Sequence, residues 1–398
     1  MNLGFTANDA DNHYYEDEES FTRHLPSEWA ERSVQWVSSG DQRRMMVAGR
    51  LLNFVPNDTF DPVAKPGALD DWFRGRNPSG KTMMELYNDM QPCADSFRRP
   101  ELRFSLMDEQ KIDSTILFPT MGCGVELALK DDVPALSATL QAFNRWLDEV
   151  WGLNNRGRIF SAPLINLGDL DWAVQELEWA LSRDVRVIYM SPNPVPSPEG
   201  WVSLGDPSFD RFWERVDAAG VTVAFHQAHT VYQRHADYWV ERVGAGGLAF
   251  GSSPMRGYMH DRAVDGAIGD TIAALVCHGV FDRFRNLRVL SIENGSEWIG
   301  LCVRRLQKAF GQMPGSFHED PLDTVKRHVW IAPYQEDDFG ALREIVGCKN
   351  MIFGSDYPHP EGLAEPLSFA RDLHGFDQKE IQSIMRENLL PLLERQPR

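Results

Sequence analysis

Short runs of apolar residues alternate with longer amphipathic segments along most of this chain. An apolar run bounded by turn residues is typical of a buried strand, and apolar residues three and four positions apart predict a helix. The first strand is predicted to end within residues 9–13. Seven further strands are predicted at 114–118, 158–163, 185–190, 221–225, 287–292, 328–332 and 350–354. Helices are predicted at 102–111, 132–153, 168–183, 207–219, 264–284, 295–310, 336–346, 362–374 and 378–393.

This alternation predicts the fold class. Buried strands that are apolar throughout and separated by helices form parallel sheets. Eight such strands in a chain of 398 residues predict an α/β protein with a (β/α)8 TIM barrel, and a doubly wound open sheet is the alternative. We expect one domain over residues 1–398, because a barrel of this kind uses most of such a length.

Residues from about 20 to 95 do not follow the barrel pattern. Residues 33–37 and 44–47 predict a hairpin whose turn contains Ser39, Gly40 and Asp41, and proline-rich loops follow. The segment also carries large apolar residues, among them Trp36, Phe54, Phe60, Trp72 and Phe73. We therefore predict an inserted lid or cap after strand one, and its aromatic content indicates a bulky apolar substrate.

Composition narrows the classes of partner. The net charge is −18 and the pI is near 5.0, whereas nucleic acids and anionic membranes require a basic face. The five cysteines are scattered without metal-binding spacing, which is typical of reduced thiols in the cytoplasm. No signal peptide and no apolar run of about 20 residues is apparent, so we expect a cytoplasmic protein.

Candidate metal ligands fall where the predicted strands end. Asp11 and His13 are two positions apart and share one face of strand one, His226 ends strand five, Glu293 ends strand six, and Asp356 ends strand eight. Each has an ordinary alternative: a surface turn for Asp11 and His13, and a core histidine for His226. Glu293 could be a carboxylate at a helix start, and Asp356 an N-cap. Because the active sites of TIM barrels lie at the carboxyl ends of the strands, the convergence of these residues predicts a metal site.

Further residues near these strand ends are weaker candidates. Glu16 extends the predicted ligand set, although it also begins an acidic run that is typical of a solvated surface. Catalytic roles are predicted for Asp356, Glu293 and His359, the last as a proton carrier. His229, His235 and Tyr14 are predicted to contact a second metal or the substrate; the alternatives are a surface loop for the histidines and ordinary packing for Tyr14.

The motifs around these residues resemble those of the amidohydrolase-related (amidohydrolase 2) family of metal-dependent barrels, from residue 9 onward. They are Asp11-Asn12-His13, 117–120, Phe225-His226, 279–288, 292–295 and, most specifically, Gly354-Ser-Asp-Tyr-Pro-His359. The resemblance implies that Asp11, His13, His226 and Asp356 occupy metal-ligand positions. It also implies one of two activities, because the family includes decarboxylases, and its fold also hosts non-heme di-iron monooxygenases.

Two departures from the family pattern change the expected chemistry. The usual His-x-His of strand one is Asp11-Asn12-His13, and the strand-six position that is commonly histidine is Glu293. The end of strand four (Tyr189, Met190, Ser191) also offers no bridging lysine or glutamate. A site rich in carboxylates suits iron or manganese better than zinc.

These features lead to two enzyme hypotheses. The first is a non-heme iron monooxygenase with a dinuclear site, which uses dioxygen and an external electron donor to hydroxylate a bulky hydrophobic substrate. A natural-product intermediate that bears a carboxylate or acyl group is an example of such a substrate. The alternative is a mononuclear zinc- or manganese-dependent decarboxylase or hydrolase. A metal-free barrel that only binds a partner is a third hypothesis, disfavoured by the convergent acids. Barrels of this kind often form homodimers.

Overall fold

The architecture is given by a computed structural model that describes residues 3–40, 42–198, 200–240 and 252–395. Its strands are β1 (Ala7–Tyr14), β2 (Val34–Ser39), β3 (Gln42–Val47), β4 (Arg50–Leu51), β5 (Val63–Ala64), β6 (Met90–Gln91), β7 (Ile112–Pro119), β8 (Ile159–Ser161), β9 (Val187–Met190), β10 (Val195–Ser197), β11 (Gly200–Val202), β12 (Thr222–His226), β13 (Arg288–Ile292) and β14 (Val329–Ile331). Its helices are α1 (Asp70–Phe73), α2 (Met83–Tyr87), α3 (Pro100–Gln110), α4 (Gly122–Ala128), α5 (Val133–Val150), α6 (Leu170–Ser182), α7 (Asp210–Ala219), α8 (Tyr232–Ala236), α9 (Pro254–Cys277), α10 (Val280–Arg283), α11 (Glu297–Gln312), α12 (Pro321–His328), α13 (Phe339–Val346) and α14 (Gln378–Gln382).

Parallel strands form a closed ring. β1 pairs with β7 and β7 with β8, while β9, β12, β13 and β14 pair in that order. A bridge between Leu164 and Tyr189 joins β8 to β9. The eighth wall segment, residues 351–357, closes the ring through bridges from Met351 to Ile331 and from Tyr357 to Asn12. The predicted TIM barrel is therefore confirmed.

The apolar pattern explains why these segments adopt these positions. The final six residues of β7 are all buried, as expected for a strand covered on both faces. In α5 the buried side chains recur every three or four residues, so one face of the helix covers the barrel. Asp132 caps this helix by accepting a hydrogen bond from the backbone N–H of Ala135. No helix in the described part of the chain is long and apolar enough to cross a membrane.

The predicted helix that precedes the sixth strand needs correction. The predicted helix at 264–284 begins earlier, at Pro254, and is interrupted after Cys277, where Gly279 adopts a φ of +67°. The N-terminal part of α9 was missed because its cavity-facing side mixes polar with apolar residues, so the periodicity is weak there. The start at Pro254 follows from capping by Ser253, whose side chain accepts from the backbone N–H of Arg256.

The C-terminal elements also differ from their prediction. Residues 362–374 contain only a 3-10 segment, Pro366–Arg371. The chain before it is tied to the eighth segment, because the backbone N–H of Leu363 donates to the carbonyl of Ser355. The predicted helix at 378–393 is α14 followed by a π-helical turn at Ser383–Glu387 and a 3-10 turn at Leu390–Leu392. The predicted eighth strand is extended, but only Met351 forms a bridge within 350–354.

The region inserted after strand one folds into small antiparallel pairs. β2 pairs with β3 as predicted, β3 with β4, and β5 with β6. Asp41, assigned from the sequence to the hairpin turn, lies outside the described residues. Phe60 and Val63 are buried in the same apolar core as the barrel strands, so the insertion packs directly on the barrel.

Candidate metal centre

The carboxyl ends of the strands bring the main predicted ligands together. One side-chain nitrogen or oxygen atom from each of Asp11, His13, His226 and Glu293 lies within 4.8 Å of the corresponding atoms of the other three. Two overlapping groups meet the same distance criterion, and both include Asp356. One contains His13, Asp356 and His359, and the other contains Glu293, Asp356 and Glu361. Four barrel segments therefore converge on one point of the rim.

The two central imidazoles present lone pairs to that point. His13 Nδ1 lies 3.2 Å from the carbonyl oxygen of Pro119, and His226 Nδ1 lies 2.8 Å from that of Gln227. Because a carbonyl oxygen only accepts, each Nδ1 carries a hydrogen, which leaves Nε2 as the atom that could bind a metal. The two Nε2 atoms face each other at 3.3 Å. Such a pair fits a shared cation, with the carbonyls fixing both tautomers.

Carboxylate oxygens complete this group of acceptors. Asp11 Oδ1 lies 3.3 Å from His13 Nε2 and 3.5 Å from His226 Nε2. Glu293 Oε2 lies 3.2 Å from His226 Nε2, and Asp356 Oδ1 lies 3.2 Å from His13 Nε2. Within the described residues, Asp11 Oδ1 is buried without a hydrogen-bond donor. Mixed nitrogen and oxygen donors around one point fit a divalent metal ion.

The electrostatics agree with this donor set. Burial opposes ionisation of Asp11, but His13 and His226 outweigh it and lower the pKa of Asp11. Burial likewise opposes protonation of His13, but Asp11 and Asp356 raise its pKa well above the usual value. Burial and the charges of Asp356 and Asp11 raise the pKa of Glu293 well above its ordinary range. Surroundings that attract protons this strongly also attract a divalent cation.

Buried hydrogen bonds to Asp9 fix the backbone around Asp11 and Asp356, two of the candidate ligands. Asp9 Oδ1 accepts from the backbone N–H groups of Asp11 (3.1 Å) and Ser355 (2.9 Å), and its Oδ2 accepts from the Ser355 hydroxyl (2.6 Å). Asp9 thus ties β1 to the segment that carries Asp356. Gly354 is required between them, because a Cβ at this position would lie 2.7 Å from the Cβ of Asp11.

Two of the candidate ligand carboxylates occupy unusual backbone conformations. Glu293 and Asp356 each have a φ of +53°. A left-handed conformation costs a residue with a Cβ about 1–2 kcal/mol, so the surrounding structure must enforce it. In both cases the backbone turns sharply where the strand or extended segment ends, which aims the carboxylate at the imidazole pair.

Glu16 and Tyr14 lie outside this group. The Glu16 Oε1 atom accepts the backbone N–H of Gly122 at 3.0 Å, and burial raises the pKa of this carboxyl to about 7. Tyr14 is fully buried and stacks on Trp151 with 5.5 Å between ring centroids. The chain turns after β1, which directs Glu16 to the start of α4 and Tyr14 into the core. Their roles in metal or substrate binding stay predictions.

The remaining predicted histidines separate into different surroundings. His359 Nδ1 lies 2.7 Å from Asp356 Oδ1, and its Nε2 lies 2.9 Å from the Thr120 hydroxyl. His229 lines the cavity beside the metal centre, and its ring meets Phe54 at 4.8 Å between centroids. His235 is exposed and contacts the rings of Tyr238 and Trp239. His235 is not among the described residues that line the cavity, and its role stays a prediction.

Two candidate residues were missed by sequence reasoning. Glu361 joins Glu293 and Asp356 in one ligand group, and its place in the loop after the eighth segment was an available signal. His260 lines the cavity, and burial lowers its pKa to about 4. It was missed because α9 was predicted to begin after it. Metal binding by the assembled residues stays a prediction that metal analysis tests.

A cavity of about 580 Å³ leads to the metal centre. The inserted region supplies an apolar wall that includes Phe54, Val55, Phe60, Val63, Leu69 and Phe73. The N-terminal half of α9 supplies Met259, Ala263, Val264 and Ala267 on one helical face. Acidic residues also line the cavity, and among them burial and the nearby charges of Glu297 and Asp261 raise the pKa of Asp265 to about 7.

Comparisons with known proteins agree with this fold. An amidohydrolase from Mycobacterium avium subsp. paratuberculosis is 42% identical, with a TM-score of 0.92 over 98% of both chains. A dihydroxybenzoic acid decarboxylase from Polaromonas with bound manganese is 15% identical, with a TM-score of 0.56 over 82% of this chain and 93% of that chain. For 5-carboxyvanillate decarboxylase from Sphingomonas paucimobilis the identity is 18%, with a TM-score of 0.53 over 74% of this chain and 82% of that chain. The sequence model of the amidohydrolase family matches residues 92–389, and the chain therefore belongs to that family.

Proposed function

We propose that this protein is a mononuclear manganese- or zinc-dependent decarboxylase or hydrolase that acts on a carboxyl or acyl group of a bulky apolar substrate. The observation that carries the proposal is the convergence of Asp11, His13, His226 and Glu293 on one point of the barrel rim. Family membership supports metal-dependent chemistry. The manganese in the Polaromonas decarboxylase supports the choice of metal.

His13 and His226 would hold the metal through Nε2, and Asp11 and Glu293 would hold it through one carboxylate oxygen each. When bound, the ion would supply a Lewis acid for a carboxylate or carbonyl oxygen and would lower the pKa of a water molecule. The carboxylates also balance the charge of the ion.

Asp356 and His359 are suited to moving a proton beside the metal. In hydrolysis, the Asp356 carboxylate would accept a proton from the attacking water. In decarboxylation, the protonated Asp356 would return a proton to the carbon that has lost CO2. His359 Nδ1, 2.7 Å from Asp356 Oδ1, would stabilise the carboxylate, and Thr120 holds the other side of this ring.

The cavity supports a bulky apolar substrate. Aromatic and aliphatic side chains of the inserted region face the metal centre across a volume large enough for a multi-ring compound. This wall would exclude water from the reacting group, which strengthens the electrostatic interactions at the rim. Phe54 and Phe60 would contact the apolar body while the reacting group points to Asp11 and His226.

A second candidate function is a di-iron monooxygenase. The specific observation in its favour is that Glu293 and Asp356 also form a ligand group with Glu361, which gives the site more carboxylates than one metal requires. This enzyme would need dioxygen and an electron donor that delivers two electrons, with one oxygen atom entering the substrate and the other leaving as water. The comparisons favour decarboxylase or hydrolase chemistry and do not support this candidate.

Metal analysis separates the two candidates. Protein purified from cells supplied with manganese, zinc and iron is analysed by mass spectrometry for metals and by Mössbauer spectroscopy after 57Fe enrichment. We expect about one manganese or zinc per chain, and release of CO2 or acid from bulky aromatic or polycyclic acids and esters. About two antiferromagnetically coupled irons per chain would overturn the proposal and favour the monooxygenase.

A further inference from the structure

The backbone and side chain of Glu293 are held by two residues that do not belong to the ligand group. Tyr334, in the loop after β14, donates its hydroxyl hydrogen to the carbonyl oxygen of Glu293 at 2.6 Å. Gln227, the residue after His226, reaches the same carbonyl oxygen at 2.8 Å and Glu293 Oε1 at 3.2 Å. Three consecutive barrel strands thus contribute to the position of one carboxylate.

The orientation of the Gln227 amide follows from its neighbours. The carbonyl oxygen of Glu293 can only accept, so the side-chain atom of Gln227 that lies 2.8 Å from it must be the nitrogen. The same nitrogen lies 3.1 Å from the Tyr334 hydroxyl oxygen, whose own hydrogen goes to Glu293. Gln227 is therefore a donor to both the backbone and the carboxylate of Glu293.

These contacts give the two oxygens of the Glu293 carboxylate different partners. Oε1 is engaged by Gln227, whereas Oε2 faces the imidazoles, 3.2 Å from His226 Nε2 and 3.8 Å from His13 Nε2. The carbonyl contact acts on the strained part of the backbone, where φ is +53°. Gly295 leaves space for Tyr334, since a Cβ at that position would lie 2.7 Å from the tyrosine ring.

We propose that Gln227 and Tyr334 are positioning residues that hold Glu293 in its left-handed conformation and present its Oε2 as a single-oxygen ligand to the metal. The inference rests on the metal site of the proposed function. Neither residue contacts the metal in this scheme. Their effect passes through Glu293, because the hydrogen bonds orient the carboxylate before the metal arrives and reduce the entropy lost on binding.

The test measures metal affinity in the full-length, metal-depleted protein. Gln227→Met removes the donor at similar side-chain volume, and Tyr334→Phe removes the hydroxyl while keeping the ring over Gly295. Free Mn²⁺ is followed by electron paramagnetic resonance during titration. We expect each variant to raise the Mn²⁺ dissociation constant about tenfold or more, the range found when residues behind metal ligands are removed. Tyr14→Phe is the matched control, because the buried Tyr14 hydroxyl has no hydrogen-bond partner in the described part of the chain.

A double-mutant cycle separates positioning from general destabilisation. In a Glu293→Ala background there is no carboxylate to orient, so Gln227→Met should have no further effect on the dissociation constant. A further tenfold loss there, or wild-type affinity in both single variants, would overturn the inference. If Glu293→Ala binds Mn²⁺ as tightly as wild type, Glu293 does not belong to the ligand set. If Glu293→Ala binds Mn²⁺ more weakly while the Gln227 and Tyr334 variants bind it normally, only the positioning role is rejected. Tyr334→Phe serves as the conservative second variant if Gln227→Met fails to fold.

Discussion

The barrel rim and the inserted region form opposite walls of the same cavity, and they are held in place by different interactions. At the rim, buried polar contacts fix each side chain, as Asp9 does between Asp11 and Ser355. In the insertion, short strands and loops present apolar side chains whose positions depend on packing. Precise geometry is thus concentrated where a metal would bind, and adaptable apolar contact where a substrate body would lie.

This difference indicates how the protein divides its tasks. Glu293 and Asp356 keep their left-handed backbone conformation because the neighbouring strands and hydrogen bonds enforce it. Phe54 is held more simply, against Gly124, where an added Cβ would lie 2.9 Å from the Phe54 ring. A change at the rim should therefore alter metal binding, and a change in the insertion should alter substrate affinity.

The largest effect is expected from Glu293→Ala. Loss of a direct ligand should weaken metal affinity by more than about a hundredfold and abolish turnover, since even residues behind the ligands contribute 10–100-fold. Metal content after gel filtration and turnover with added metal are the measurements. His235→Ala is the control, because His235 is exposed and is not among the described residues that line the cavity. Full metal content with lost turnover would make Glu293 a base and not a ligand.

A smaller effect, on substrate alone, is expected from Phe54→Ala. Removing a large apolar side chain from the cavity wall should raise KM about tenfold or more, because burial of such a side chain contributes about 1.5–3 kcal/mol. Metal content should stay at the wild-type value. Phe317→Ala is the matched control, since Phe317 packs on Phe310 and does not line the cavity. Loss of metal in Phe54→Ala would contradict the division between the two walls.

The buried carboxyl group of Glu126, behind the barrel rim, should make the stability of the fold depend on pH. Glu126 is buried, and burial raises its pKa to about 7, while Asn166 (2.7 Å) and Ser191 (2.9 Å) donate hydrogen bonds to it. The folded protein binds this proton more tightly than the unfolded chain, so this contribution to stability is present below about pH 4.5 and is lost as pH rises to about 7.

Glu126→Gln keeps a neutral group at this position at every pH. Relative to wild type, the variant should therefore gain roughly 2–3 kcal/mol of unfolding free energy between pH 4.5 and pH 8. Urea denaturation across this range, with Glu19→Gln on the surface as the control, measures the gain. An equal change in both variants would show that Glu126 ionises without cost in the folded protein.

The same contrast explains what the sequence could predict. Asp11, His13, His226, Glu293 and Asp356 were found because an apolar run ends at each, and the carboxyl end of a barrel strand faces the site. The ring of parallel strands followed from the same runs. These features depend on local pattern and on one general rule of the fold.

Features that depend on the path of a loop could not be predicted in this way. Tyr334 reaches the site because of how its loop turns after β14. For Glu361 the place in the loop after the eighth segment was a signal, but the strand ends alone do not show that this loop turns toward the site. His260 lies in a part of α9 where a polar and apolar face lines a cavity, which weakens the periodicity. Glu16 was named as a possible ligand because it follows Asp11 and His13 in the sequence, but the turn of the chain after Tyr14, where β1 ends, directs it to the start of α4.

The smallest effect is expected from Glu16→Gln, which tests whether Glu16 belongs to the ligand set. The glutamine oxygen can still accept the N–H of Gly122, so the start of α4 should be retained. Metal content should equal that of wild type, because Glu16 lies outside the described ligand groups, and the melting temperature should change by no more than a few degrees. The measurement is the number of metal ions per chain in Glu16→Gln, with Glu19→Gln as the surface control. A selective loss of metal in Glu16→Gln would return Glu16 to the ligand set and extend the metal centre toward α4.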